Sequence, residues 1–236
     1  MKFDYFTGFS LHDKSETIEE AYANGMEQVQ FCDQAGFEIV WFPEHHLTAN
    51  TPSPAPLVSV VDAAHRTQNV RLGTGIMITP YHHPLILAGQ INLVDLLTNG
   101  RLEVGFGRGG FKYEYARLGL SEAEASARQR EGLEIILNGW FREDFTHEGQ
   151  FFSFDHSTVI PRPYQKPAPP TWLAGRTPDT MRFAAQHGMG IMMTAQRQPI
   201  DRLRGQVNLL NAICEDLGVP RPPMTASREV FITESK

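Results

Sequence analysis

The chain has 236 residues, 41% of them apolar and 20% charged, enough to bury one large core and of a length usual for a single β/α barrel. A net charge of -6 argues against a nucleic-acid or anionic-membrane surface, because no basic cluster is concentrated enough to release counterions. Two cysteines, Cys32 and Cys214, make no disulfide framework, and with no signal-peptide or membrane-length apolar run a cytoplasmic protein is expected.

Residues 3–6 read as a short aromatic strand. Ser15 is placed to cap a helix that carries Glu16, Glu19 and Glu20 in its first turns, where carboxylates complement the helix dipole. Ile18, Tyr22, Gly25, Val29 and Cys32 recur on one face of it, and Gly36 ends it. Residues 37–42 form an apolar run suited to a strand covered on both faces. A helix over 57–66 leads to a strand over 72–78, and a helix over 84–97 leads to a strand over 102–106. Residues 111–120 are glycine-broken and aromatic. A helix over 121–139 follows, with Leu133, Ile136, Leu137 and Trp140 as its core face.

The second half changes texture. Pro161, Pro163, Pro167, Pro169 and Pro170 exclude a helix and make a loop that feeds a strand over 171–174. A polyproline ligand is the alternative reading of that segment. Residues 180–187 are helical, 190–194 form a strand, and 200–217 form a helix ended by Gly218 and Pro220. A last strand covers 229–233, beginning at most a few residues earlier. Helix–glycine–strand junctions at Gly36, Gly188 and Gly218 have the rhythm of successive βα units.

The expected fold class is therefore α/β, a TIM-type β/α barrel in a single domain over 1–236. A closed barrel is favoured over an open sheet because the chemistry-bearing residues follow several different strands. His45 follows the second, His82 and His83 the third, Arg108 the fourth and Arg176 the fifth. Seven strands are found where a closed barrel needs eight. Either one strand is misread or the chain lacks the C-terminal eighth βα unit, which would leave an apolar edge and favour a homodimer or a missing partner segment.

Trp41-Phe42-Pro43-Glu44-His45-His46 delivers two imidazoles and a carboxylate where an apolar strand runs into a long loop. Such a group serves proton transfer or metal binding. Adjacent histidines on extended backbone point opposite ways, and only His82 and His83 are obvious further ligands, which favours proton transfer. His83 precedes Pro84 at a helix start and has a purely structural reading besides.

Two segments read as anion sites, and single basic residues at Arg108, Arg128 and Arg176 suit a small anionic ligand. Gly105-Phe106-Gly107-Arg108-Gly109-Gly110 matches G-x-G-x-x-G after a strand, but no acid-ended strand follows at the dinucleotide distance. The glycines still let backbone amides approach a phosphate, and Arg108 adds a charge-assisted bond; a tight structural turn is the alternative. Arg176-Thr177-Pro178-Asp179-Thr180 opens a helix whose free amides can hold an anion, with plain capping by Thr177 as the alternative. On one barrel face, both would hold the same phosphate.

The combination of 41–46, Leu72-Gly73-Thr74-Gly75, His83-Pro84, Gly100-Arg101-Leu102 and Gly105-Phe106-Gly107-Arg108-Gly109 resembles the bacterial luciferase-like, flavin-dependent monooxygenases. The resemblance continues through Glu148-Gly149-Gln150-Phe151-Phe152, the proline segment and the stretch Ala174, Gly175, Arg176 to Thr180. It implies a barrel holding reduced FMN, used as co-substrate, over the C-terminal strand ends. Arg108, Arg128, Thr177 and Thr180 then fall where the family grips the flavin phosphate, and Gly109, Ala174, Gly175 and Arg176 join them as cofactor-binding residues. Thr79 and Pro80 fall near a non-proline cis peptide beneath the flavin ring. His45 matches the histidine that acts as base, with His46 as its neighbour, and no metal is implied.

The implied reaction is oxygenation of a small organic substrate by dioxygen through a flavin hydroperoxide, with a separate NAD(P)H-dependent flavin reductase as partner. Gly107 stands where bacterial luciferase has a reactive cysteine, which argues against light emission. The loop over 47–56, stiffened by Pro52, Pro54 and Pro56, is placed to wall the pocket, whereas 195–199 is too brief for a lid. A non-catalytic flavin-binding relative and a deazaflavin-dependent oxidoreductase of the same barrel class remain the alternatives.

Overall fold

The computed structural model describes residues 2–11, 16–194, 199–228 and 230. They fall in two compact units, residues 1–170 and 171–236. In the first, β1 (Tyr5–Phe6), β2 (Ile39–Phe42), β3 (Arg71–Ile78) and β4 (Leu102–Gly107) lie side by side in that order, each parallel to the next. Parallel neighbours need crossovers, and α1 (Ile18–Ala35), α2 (Pro56–Arg66) and α3 (Pro84–Leu97) supply them. β2 and β4 are buried along their whole length, which is why they read as near-continuous apolar runs.

Helix α1 starts at a capping box: the Glu20 amide donates to Thr17 Oγ1 at 3.1 Å, and the Thr17 amide donates to the Glu20 carboxylate at 2.9 Å. Ser15, the expected cap, lies outside the described residues. The helix ends at Gly36 with φ 79°, a left-handed conformation that costs glycine nothing. Ala21, Gly25, Met26, Val29 and Cys32 are its buried face, while Ile18 in the first turn is exposed.

Strand β3 runs into a 3₁₀ turn, Thr79–Tyr81. The non-proline cis peptide lies earlier, between Gly75 and Ile76, where the register of β3 against β4 shifts between Thr74 and Met77. Beyond β4 the aromatic segment contains a short helix, α4 (Lys112–Arg117). Then α5 (Ala125–Phe141) begins later than its sequence pattern suggests, because 122–124 form a turn. Leu133, Ile135, Ile136 and Trp140 are its large core residues, and Leu137 is half-buried.

An antiparallel hairpin of β5 (Phe145–Glu148) and β6 (Ser153–Ser157) follows. Its strands are polar and mostly exposed, so no apolar alternation announces it. Glu131 of α5 anchors it by accepting from the amides of Gln150 at 3.0 Å and Phe152 at 2.8 Å.

The second unit repeats the parallel plan with β7 (Thr171–Ala174), β8 (Gly190–Thr194) and β9 (Met224–Ser227), linked by α6 (Pro178–Gln186) and α7 (Ile200–Leu217). β9 ends before the strand expected over 229–233. Glu229 and residues 231–233 lie outside the described residues, as do 195–198. One detail recurs in both units: Trp41 pairs with Gly73 across β2 and β3, and Trp172 with Gly190 across β7 and β8. A Cβ on either glycine would stand 2.3 Å from the facing indole ring, so the tryptophans lie flat only because the partners carry no side chain.

Candidate functional site

The chain leaves β2 at Pro43, and Glu44 follows with a side chain wholly removed from solvent. A buried carboxylate must be paired or hydrogen-bonded to persist. Oε1 of Glu44 accepts from Nε2 of His46 at 2.8 Å and from Nε2 of His82 at 2.7 Å, and the other oxygen accepts from the Ile78 amide. Burial pushes the Glu44 carboxyl up, but those imidazole bonds, the charge of His82 and the amide outweigh it and hold the group below the usual carboxylate range. The same bond pushes His46 above the ordinary histidine value, against its burial.

A second buried carboxylate meets the same loop. Glu114 of α4 is fully enclosed; its Oε1 accepts from the His46 amide at 2.9 Å and its Oε2 from the Tyr81 hydroxyl at 3.1 Å. Nδ1 of His45 lies 3.8 Å from Glu114 Oε1, is buried, and has no hydrogen-bond partner. Burial pushes His45 below the ordinary histidine value, more strongly than Glu114 and Glu44 pull it up. His45 therefore stands neutral near pH 7, the state in which an imidazole accepts a proton. Its ring centre lies 5.2 Å from that of Phe111.

The loop after His46 is fixed at several points. The His45 amide donates to the Ser53 carbonyl at 2.9 Å, Ser53 Oγ donates to the Pro43 carbonyl at 2.6 Å, and Arg117 of α4 donates to the Leu47 carbonyl at 3.2 Å. The Tyr115 hydroxyl, pushed by burial up to about 12, donates to the Arg108 carbonyl and ties the glycine loop to α4.

The anion-binding candidates of this unit collect around the end of β3. Gly109 has φ 80°, and a Cβ there would stand 2.8 Å from Ile78 Cγ2, so only glycine lets this loop pack so closely. Nε of Arg128 donates to the Pro80 carbonyl at 3.1 Å, and its guanidinium lies 4.6 Å from the centre of the Phe152 ring. Thr79 Oγ1, between Ile78 and Pro80 in the chain, is buried without a partner. Among the described residues neither Arg108 nor Arg128 makes an ion pair with a carboxylate. Two guanidiniums without carboxylate partners and an orphaned hydroxyl fit a phosphorylated ligand. His83 takes its structural reading, starting α3 with its ring edge-on to Phe152 at 5.3 Å.

In the second unit Thr177 caps α6: its hydroxyl accepts from the Thr180 amide at 3.3 Å and shares a hydrogen bond with the Thr180 hydroxyl at 2.9 Å. The capping role weighed for Thr177 is thus observed. Gly175, just after Ala174, makes room for Thr180, whose Cγ2 a Cβ would approach to 2.4 Å. Arg176 lines a cavity of about 290 Å³ together with Arg202, Gly205, Gln206 and Leu209 of α7.

Glu114, Tyr81 and Tyr115 were not legible as site residues. Glu114 sits between two tyrosines directly after the glycine loop, and a carboxylate in so aromatic a segment was the one available hint. Among the described residues no group of three or more His, Cys, Asp or Glu is arranged to hold a metal ion, and no helix is long and apolar enough to cross a membrane.

Comparison with known proteins places the chain in a family. The chain is 33% identical over 239 aligned positions, covering 100% of itself, to the oxygenase component of the flavin-dependent trigonelline monooxygenase of Acinetobacter baylyi, of which it covers 66%. It superposes on the crystal structure of the monooxygenase RslO1 from Streptomyces bottropensis with TM-score 0.93 at 29% identity, over 99% of this chain and 72% of that one. For the oxygenating constituent of 3,6-diketocamphane monooxygenase from Pseudomonas putida, in complex with FMN, the TM-score is 0.86 at 20% identity, over 99% and 68%. The chain spans from about half to two-thirds of the length of the curated relatives it matches. The profile of the luciferase-like monooxygenases matches residues 1–236. With the parallel βα units described above and these superpositions, the chain belongs to the luciferase-like monooxygenase family and has that family's β/α-barrel fold.

Proposed function

We propose that the protein is the oxygenase component of a two-component monooxygenase: it takes up FMN reduced by a separate NAD(P)H-dependent reductase and uses dioxygen to oxygenate a small organic substrate. The observation that carries this reading is the pair of arginines without carboxylate partners, Arg108 and Arg128, on segments packed against Ile78 and Pro80. Thr79, between Ile78 and Pro80 in the chain, adds a buried, unpartnered hydroxyl. The FMN complex of the 3,6-diketocamphane monooxygenase constituent supports the cofactor, and the oxygenase component of trigonelline monooxygenase supports the division of labour.

When bound, reduced FMN supplies two electrons and the site of oxygen activation. The residues of this chain do the rest. Arg108 and Arg128 would hold the phosphate, with Gly109 giving its backbone access. Thr177 and Thr180 are the second unit's candidates for holding an anion. Thr79 would meet the cofactor with its free hydroxyl. His45, neutral and half-buried beside Phe111, would accept a proton at its imidazole, and the pinned loop from Leu47 to Pro56 would help exclude water.

The balance of the reaction gives the test. One atom of dioxygen enters the product and the other leaves as water, with two electrons from each reduced flavin. Photoreduced FMN is mixed with the protein under ¹⁸O₂ and a panel of small organic acids, N-heterocycles and ketones that includes trigonelline. A product carrying one ¹⁸O is expected, with peroxide formed in less than one equivalent per flavin. One full equivalent of peroxide with every compound would mark a flavin-binding protein that does not oxygenate.

A further inference from the structure

Two buried carboxylates act on the neighbouring histidines in different ways. Glu44 hydrogen-bonds directly to His46 and raises it, while Glu114 meets only the main chain of His46 and leaves its space toward the side chain of His45. His45 Nδ1 is buried, has no hydrogen-bond partner, and has Glu114 Oε1 3.8 Å away. A shift of about 1 Å would bring that pair to ordinary hydrogen-bond length. The other ring nitrogen is not among the buried unpartnered atoms, and the side chain keeps 27% of its surface exposed.

We propose that Glu114 is the positioning residue of His45: it holds the proton on Nδ1, so that Nε2 faces the reaction as the proton acceptor, and it stabilises the imidazolium once Nε2 is protonated. This rests on His45 being the base of the reaction. The physical precedent is a buried carboxylate that orients an imidazole and fixes its tautomer without itself taking the proton.

The site is built to keep Glu114 in place. Its two oxygens are held by the His46 amide at 2.9 Å and the Tyr81 hydroxyl at 3.1 Å, from two different loops. Tyr81 is pushed upward by burial and by Glu114 itself, so it stays protonated and donates. The charged and titratable groups facing His45 are Glu114 from α4 and Glu44 and His46 from its own loop; Tyr81 and Tyr115 face Glu114 in turn. Glu114 and Glu44 raise His45, and His46 lowers it. Removing the Glu114 charge must therefore move the His45 titration to lower pH.

The test is an NMR titration of the ¹⁵N-labelled imidazoles, which reads tautomer and protonation without turnover. In the wild type, His45 is expected as the Nδ1–H tautomer above its titration. In Glu114→Gln, which keeps an acceptor for the His46 amide, the His45 titration moves to lower pH. The acid limb of kcat moves with it, kcat falls about tenfold to a hundredfold, and KM stays within about threefold. Glu114→Asp, which keeps the charge, restores most of kcat. An Nε2–H tautomer in the wild type, readable whether or not any variant folds, would overturn the assignment, as would an unmoved titration in Glu114→Gln. Absence of oxygenated product with the tautomer and titration as stated would sink the oxygenase reading alone.

Discussion

His45→Ala is expected to lower the rate of substrate oxygenation by about 10²–10⁴-fold, the range of a single general base, while reduced FMN still binds within about threefold of the wild type. The structure separates the two effects because His45 and the arginines draw on different groups. The ring lies beside Phe111 and Glu114, whereas Arg128 is fixed through Pro80 and Phe152. Single-turnover product yield and anaerobic flavin titration read the two quantities independently. Unchanged turnover in His45→Ala would remove the base assignment.

The pH profile follows from the same burial. A base must be neutral to accept a proton, and burial holds His45 below the ordinary histidine value of 6.5. Activity is therefore retained at pH 6.5 and lost only as the pH falls through the lower folded value. His45→Ala removes this acid limb together with the rate.

Glu44→Ala is expected to cost stability more than any other single change at the site, about 3–5 kcal/mol, because it strips a buried carboxylate from charged and polar partners. A domain of this kind has about 5–15 kcal/mol in total, so the urea midpoint should drop by a large fraction. His46, His82 and the Ile78 amide would all lose their shared acceptor.

The gap between the two proteins is pH-dependent with a defined sign. Glu44 has a folded value below its unfolded 4.5, so its contribution is complete above 4.5 and is lost as the pH falls through the folded value. His46 has a folded value above its unfolded 6.5, so its share is complete below 6.5 and is lost as the pH rises through the folded value. The difference in urea midpoint should be widest between pH 4.5 and 6.5. A midpoint shift that is equal at pH 3, 5.5 and 8.5 would show that only packing was lost.

Strand–helix alternation was legible wherever it rested on local chemistry. The residue ranges of α3, β7, β8 and α7 match the periodicity and glycine punctuation of their own sequences. What failed was polar or long-range. The β5–β6 hairpin carries no apolar alternation and is held by Glu131 from a helix before it. The strand Met224–Ser227 is only partly buried, so it carries little apolar signal of its own. At the site, the strand-end histidines and the glycine–arginine loop were legible because their residue types are chemically unusual where they stand. Glu114 was not: its importance comes from reaching His46 68 positions away in sequence, and nothing local encodes that contact.

Flavin phosphate recognition by Arg108 and Arg128 is read out by an anaerobic titration with reduced FMN, reduced riboflavin and a reduced 5-deazaflavin. Reduced FMN is expected to bind at least about tenfold more tightly than reduced riboflavin, roughly what one or two charge-assisted phosphate contacts supply. Arg108→Ala should remove most of that preference. Equal affinity for FMN and riboflavin in the wild type, or preferential uptake of the deazaflavin, would rule out FMN recognition through these arginines.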